Sequence, residues 1–232
     1  MTFADQSDAG RRPARRQGVD VEIPLSTTRL DGRLAVPDGA TAVVVFAHGS
    51  GSGRHSPRNR YVAGVLTDAG LATLLPDLLT PEEEDDPANM FDIGLLGRRL
   101  VEVTSWLRGE HGMSGAAVGY FGASTGAAAA LWAAAEPGSG IGAVVSRGGR
   151  PDLAASRLPD VAAPTLLIVG GDDEAVLELN NRAARLLRHE AEVAVVPGAT
   201  HLFEEPGALE TVATLARDWF TRRLIPVGAR RR

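Results

Sequence analysis

The stretch Tyr120-Phe121-Gly122-Ala123-Ser124-Thr125-Gly126-Ala127-Ala128-Ala129-Ala130 decides the fold. The apolar run from Ala116 to Phe121 has the character of a buried strand, and the alanines after Gly126 are strong helix formers. Between them stands one serine with a glycine two residues to either side, which permits a turn too tight for side chains. The Ser124 hydroxyl is therefore expected at the carboxyl edge of a sheet, on the first turn of a helix whose free N–H groups favour developing negative charge. Gly-x-Ser-x-Gly is a weak pattern in a chain with 27 glycines, so the rest of the sequence has to supply the partners.

Upstream, Ala42 to Ala47 is continuously apolar, as in a strand covered on both faces. The loop His48-Gly49-Ser50-Gly51-Ser52-Gly53 follows it, then a helical spacing of Tyr61, Val62, Val65, Leu66 and Ala69 that Gly70 stops. Leu71 to Leu75 reads as a strand, and Leu96, Leu100, Val103 and Leu107 as an amphipathic helix ending near Gly112. Val19 to Ile23 and Leu30 to Val36 alternate, which predicts an antiparallel pair at the sheet edge. Downstream, strands are expected at Ile141–Val145, Pro164–Val169 and Val193–Val196, with helices after the second and third. Strands alternating with helices predict an α/β fold: a mostly parallel twisted sheet of about eight strands, helices on both faces and right-handed crossovers. Residues 1–18 read as a flexible tail, 19–226 as a single domain and 227–232 as an arginine-rich tail.

Composition narrows the chemistry. The 232 residues suit one domain, and the formal charge of 24 − 29 = −5 offers no basic field for nucleic acid. No apolar run approaches a membrane span, and no apolar segment follows Arg11, Arg12, Arg15 and Arg16 to make an export signal, so a cytoplasmic protein is expected. The chain has neither cysteine nor lysine. Disulfides, a thiol nucleophile, a Schiff-base lysine, a pyridoxal phosphate anchor and a P-loop lysine are excluded together. No histidine pair has metal-ligand spacing, so neither a metal nor a cofactor is expected. Gly49, Gly51 and the Arg54 that stands where a third glycine belongs fail the dinucleotide fingerprint.

Ligands of open α/β sheets bind at the carboxyl ends of strands. The polar residues on those exits are His48 to Gly53, Asp77, Ser124, Arg147, Asp172, Asp173 and His201. They include an alcohol, an acid and an imidazole in chain order. Ser124 would attack a carbonyl, His201 would take and return its proton, and a carboxylate would fix the imidazole tautomer. Asp172, Asp173 and Asp152 compete for that carboxylate, and an aspartate here also suits a helix N-cap. His48 reads as a brace for its glycine loop; His55, His111 and His189 read as surface residues. Arg54, Arg58, Arg147 and Arg150 have the chemistry to meet an anionic group, although exposed arginines are the plainer reading. Glu82 to Asp86 reads as a solvated, mobile charge run.

Taken together, Gly122–Gly126, Gly171-Asp172-Asp173-Glu174-Ala175-Val176, Gly198-Ala199-Thr200-His201-Leu202-Phe203 and Phe46-Ala47-His48-Gly49-Ser50-Gly51 resemble the elbow, acid loop, histidine loop and oxyanion strand-exit of the α/β-hydrolases. The compact members known as the dienelactone hydrolase family are the nearest likeness, over nearly all of Val19 to Leu224. The resemblance selects Asp173 as the acid, three residues before a valine. It implies an oxyanion hole from the backbone N–H groups of Thr125 and Ser50, with Gly51 next in line for the second donor. Family members that open dienelactone itself use a cysteine nucleophile; Ser124 stands there instead, so that substrate does not carry over. The implied activity is hydrolysis of a small ester, lactone or thioester through an acyl-enzyme; the expected partner is a small-molecule ester-type substrate, with neither nucleic acid nor membrane and with the oligomeric state left open. Acyl transfer on the same residues and a non-catalytic binding or regulatory role are the alternatives. Gly51, Arg54 and Arg147 are the candidate substrate contacts. The short segments Leu79–Asn89 and Gly149–Pro164 leave no room for a large lid.

Overall fold

The computed structural model describes residues 18–110 and 113–226. The two predicted tails (apart from Gly18), His111 and the helix end at Gly112 lie outside the described residues. Eight strands form one sheet in the order β1-β2-β4-β3-β5-β6-β7-β8. β1 (Val19–Pro24) and β2 (Arg29–Ala35) are the alternating pair; they run antiparallel, and β2 continues antiparallel onto β4 (Ala72–Pro76). The other strands, β3 (Ala42–Ala47), β5 (Ala117–Ala123), β6 (Ile141–Arg147), β7 (Thr165–Gly170) and β8 (Ala191–Val196), are parallel with β4.

Burial explains why the central strands are continuous in apolar residues. Every residue of β3 and β7 is buried, because helices cover both faces. On one face lie α3 (Ile93–Glu110), α4 (Thr125–Ala134) and α5 (Glu174–Leu186), packing Leu96, Leu100, Val103 and Ala183 against Val43, Val45 and Val118. On the other lie α1 (Pro57–Asp68) and α6 (Ala208–Leu224), packing Val62, Leu66, Val212 and Trp219 against Val44, Phe46 and Val145. The chain steps from β3 outward to β4, then returns to the far side of β3 as β5. That reversal opens a crevice above β3 and β5, where ligands of such sheets bind.

One expectation is corrected and one is filled in. The acidic run is not simply solvated. Pro81–Glu84 forms a short helix, α2, closed by a reciprocal capping box in which Thr80 Oγ1 accepts from the Glu83 N–H and Glu83 returns the bond to the Thr80 N–H. Glu83 also accepts from Arg99 at 2.6 Å, and Arg99 is almost wholly buried in α3. A charge run cannot float when one of its carboxylates holds a buried guanidinium. The segment after β6, read only as short, is a 3₁₀ stretch over Pro151–Asp160 packed on α4 and α5.

Candidate active site

Ser124 joins β5 directly to α4 with φ 52° and ψ −121°, a left-handed conformation that a residue with a side chain adopts only when its surroundings impose it. The flanking glycines impose it. A Cβ on Gly126 would lie 2.6 Å from the Ala47 carbonyl carbon, and one on Gly122 would lie 2.7 Å from the Gly126 oxygen. The elbow thus packs backbone on backbone. The Ser124 N–H donates to the Arg147 carbonyl at 3.2 Å, and the Ser124 carbonyl accepts from the N–H groups of Ala127 and Arg150, both at 3.1 Å. The turn is tied to both β6 and its own helix.

The glycine loop after β3 leans over this serine. A Cβ on Gly49 would come within 3.1 Å of Ser124 Cβ. His48 is buried beneath the loop: its Nε2 accepts from the Leu78 N–H at 3.0 Å, which leaves Nδ1 as the donor to the Gly49 carbonyl at 3.0 Å. Burial lowers its pKa, so this neutral tautomer is the working form. The Ser50 N–H donates to Thr125 Oγ1 at 3.0 Å, so one expected oxyanion donor is engaged by the side chain of the residue carrying the other. Gly51 has φ +66° and lines a cleft of about 830 Å³ with Ser50, Arg54, Arg58, Asp77 and Leu79. Arg54 is not idle there: its guanidinium bonds Asp77 and Asp31, and its N–H donates to Asp77 at 2.7 Å. It fastens the loop to the exit of β4.

Asp173 and His201, 28 positions apart, meet at 2.7 Å through Oδ2 and Nδ1. Asp173 occupies the N-cap position of α5 but makes no capping bond. Its carboxylate is turned to the imidazole instead. The acid and histidine loops are stitched together: the Asp172 N–H donates to the Ala199 carbonyl at 3.0 Å, and a Cβ on Gly170 would fall 2.7 Å from the Thr200 oxygen. Asp152 is engaged elsewhere, by both Nε and Nη2 of Arg150 at 2.9 and 2.8 Å.

The imidazole approaches the serine by way of Gly148. A Cβ there would sit 3.5 Å from His201 Cε1, and the preceding residue, Arg147, is the one whose carbonyl holds the Ser124 N–H. Serine and histidine therefore flank the same two residues, although no hydrogen bond joins the Ser124 hydroxyl to the imidazole in this state. Two roles had no mark in the sequence, although both residues lie in its motifs. Phe203 takes φ 55° at 1% exposure, locking the histidine loop, and Thr125 contributes its hydroxyl to Ser50. Among the described residues no group of three or more His, Asp or Glu side chains is arranged to hold a metal ion, and no helix is long and apolar enough to cross a membrane.

The sequence model of the dienelactone hydrolase family matches residues 30–223. The chain belongs to this family. A dienelactone hydrolase from Anabaena variabilis ATCC 29413 is 56% identical, with a TM-score of 0.86 over 90% of this chain and 98% of that one. Est1E from Butyrivibrio proteoclasticus shares the fold at 16% identity, with a TM-score of 0.74 over 88% of this chain and 98% of its own. Among curated proteins, one from Mycobacterium tuberculosis H37Rv, provisionally named a phosphoribosyl transferase, is 58% identical over 95% of this chain. The chain spans 50% of that relative's length.

Proposed function

We propose that Ser124, His201 and Asp173 act as nucleophile, base and orienting acid in cleaving a small ester, lactone or thioester through an acyl-enzyme. The observation that carries this reading is the 2.7 Å bond between Asp173 and His201 Nδ1, made by an aspartate that forgoes its helix cap. With Nδ1–H donating to the carboxylate, Nε2 keeps its lone pair and receives the serine proton. The Ser124 oxygen bonds the carbonyl carbon, and the imidazolium returns the proton to the departing alcohol or thiol. Water then repeats the sequence and frees the acid. The serine–imidazole bond forms as substrate settles, as catalytic hydrogen bonds commonly tighten only in the complex.

The developing oxyanion is received by the Thr125 N–H at the start of α4 and by the Ser50 N–H, for which it competes with Thr125 Oγ1. Support for an esterase-type reaction comes from the family and from the Anabaena variabilis relative. The transferase name belongs to a protein of which this chain spans half, and the match covers 95% of this chain.

A fluorophosphonate probe with mass mapping tests the proposal. The adduct is expected on Ser124, and Ser124→Ala should abolish it and lower turnover of an activated ester by roughly 10⁴–10⁶. An adduct elsewhere, or activity that survives the substitution, refutes the assignment. Product analysis with added alcohols separates hydrolysis from acyl transfer, and an intact protein that ignores both probe and esters points to a binding role.

A further inference from the structure

We propose that Ser124 releases a short acyl group, acetyl in size, from a larger, polar alcohol without negative charge; the inference rests on the hydrolase reading above. Two spaces meet at the oxyanion loop, and Ser50, Gly51, Leu79 and Glu84 border both. The smaller is walled by Leu79, Met90 and Leu96 over His48 and Gly49. Its volume is about 10 Å³, room for about one methyl-sized group. Gly49 is also the residue whose Cβ would come within 3.1 Å of Ser124 Cβ, so this pocket begins beside the nucleophile. The larger space is the cleft of about 830 Å³.

The small pocket has a fastened back wall. Met90 stands in a 3₁₀ turn, Asn89–Phe91, and Asn89 Nδ2 donates to the Glu83 carbonyl at 2.9 Å. Glu83 in turn holds Arg99 of α3, the helix from which Leu96 enters the pocket wall. The acidic run therefore clamps Met90 against α3. An acyl chain longer than acetyl would meet that wall, and forcing methylenes into packed surroundings is disfavoured.

The departing oxygen has to lie toward His201, which returns the proton to it. Arg58 marks that side, because it lines the cleft and pairs at 2.9 Å with Glu204 on the histidine loop. Leu96 belongs to the opposite face of the sheet from α1. The alcohol therefore falls in the cleft and the acyl group in the pocket. When the ester bond breaks, the acetyl stays on Ser124 Oγ, the alcohol leaves with the proton from His201, and water frees acetate. The cleft wall is polar through Ser52, His55, Ser56 and Thr80. Its arginines already hold carboxylates: Arg29 that of Glu22, Arg54 those of Asp77 and Asp31, and Arg58 that of Glu204. Glu84 adds negative charge where the two spaces join, and Arg147, 8% exposed, lines neither. Such a wall offers hydrogen bonds to hydroxyl groups and repels an anion.

The test reads kcat/KM for 4-nitrophenyl acetate, butanoate and hexanoate, each divided by the ester's own rate in alkali. In the wild type the value should fall by about tenfold or more from acetate to butanoate, since one methylene in a shaped pocket is worth about 10–200-fold. Met90→Ala should raise the butanoate-to-acetate ratio by about tenfold or more. That ratio is insensitive to the fraction of protein folded, and Met90→Val, a milder truncation, serves where the alanine variant does not fold. A flat series in the wild type, or a ratio that neither variant moves, overturns the proposal while the hydrolase reading stands. Cleavage of none of the esters removes both. For the alcohol, 6-O-acetylglucose is compared with acetoxyacetate, whose leaving group carries a carboxylate, again relative to alkali. The neutral ester should be favoured by about tenfold or more. Equal rates, or the reverse order, overturn the assignment of the cleft.

Discussion

Gly126→Ala is the sharpest test of the elbow. The added Cβ would lie 2.6 Å from the carbonyl carbon of Ala47 and closer still to the oxygens of Ala47 and His48. All of these are backbone atoms, so no rotamer can yield. Ordinary contact requires close to a further ångström, and either α4 or the exit of β3 has to move to provide it. Overpacking of this kind costs about 1–3 kcal/mol, and the rigidity of both partners argues for the upper end. At about 2–4 °C per kcal/mol for a domain of this size, a cost near 3 kcal/mol lowers the thermal midpoint by about 6–12 °C. The displacement falls between Ser124 and the Ser50 loop, and a misplacement of about 1 Å at reacting groups costs about 10² in rate. Melting by circular dichroism and kcat/KM on an activated ester measure the two effects. Gly64→Ala is the control: it lies inside α1, a Cβ there meets nothing within 4 Å, and it should stabilise by about 0.5–1 kcal/mol. A Gly126→Ala protein that melts and turns over like wild type would refute the close approach of α4 to β3.

Asp173→Asn should lower kcat by about 10⁴ with the fold intact, since an amide no longer selects the imidazole tautomer; near-normal turnover would remove Asp173 from the relay. Thr125→Val removes the acceptor of the Ser50 N–H while keeping the side-chain shape. It should alter turnover by about tenfold, less than loss of an oxyanion donor, and Thr125→Ser should restore it. Because His48 is held below its ordinary value of 6.5 by burial, the unfolded chain takes up its proton at a higher pH than the native one. Stability should therefore decline as pH falls through 6.5, and the difference in melting midpoint between pH 7.5 and pH 5 should shrink in His48→Gln. An unchanged difference would show that His48 is not what senses acid.

Much of this was legible along the chain because backbone chemistry leaves few options. A serine framed by glycines between an apolar run and an alanine run has almost one way to fold, and the unbroken hydrophobicity of Ala42–Ala47 required cover on two faces. Strand-exit loops are likewise where an α/β sheet exposes polar groups, which brought Asp173 and His201 into view. Partners chosen in three dimensions left no such trace. Nothing in Glu82–Asp86 says that one carboxylate reaches back to Arg99, and nothing near Arg54 names Asp31. The Ser50 amide was expected to be free because no local rule connects it to a hydroxyl 75 positions away. Phe203 has no feature that foretells a positive φ; the loop imposes it.

The stitching of the acid loop to the histidine loop means that Asp173 and His201 travel as one plate, carried by β7 and β8. The serine and its glycine loop form a second plate on β3, β5 and β6. Slack between alcohol and imidazole then resides at the seam where β6 meets β7 over Val144–Arg147 and where the Gly148 N–H adds a last bond to the Ile168 carbonyl at 2.8 Å. Cross-links within either plate should be silent in turnover, whereas one laid across the seam should set how often the two halves engage.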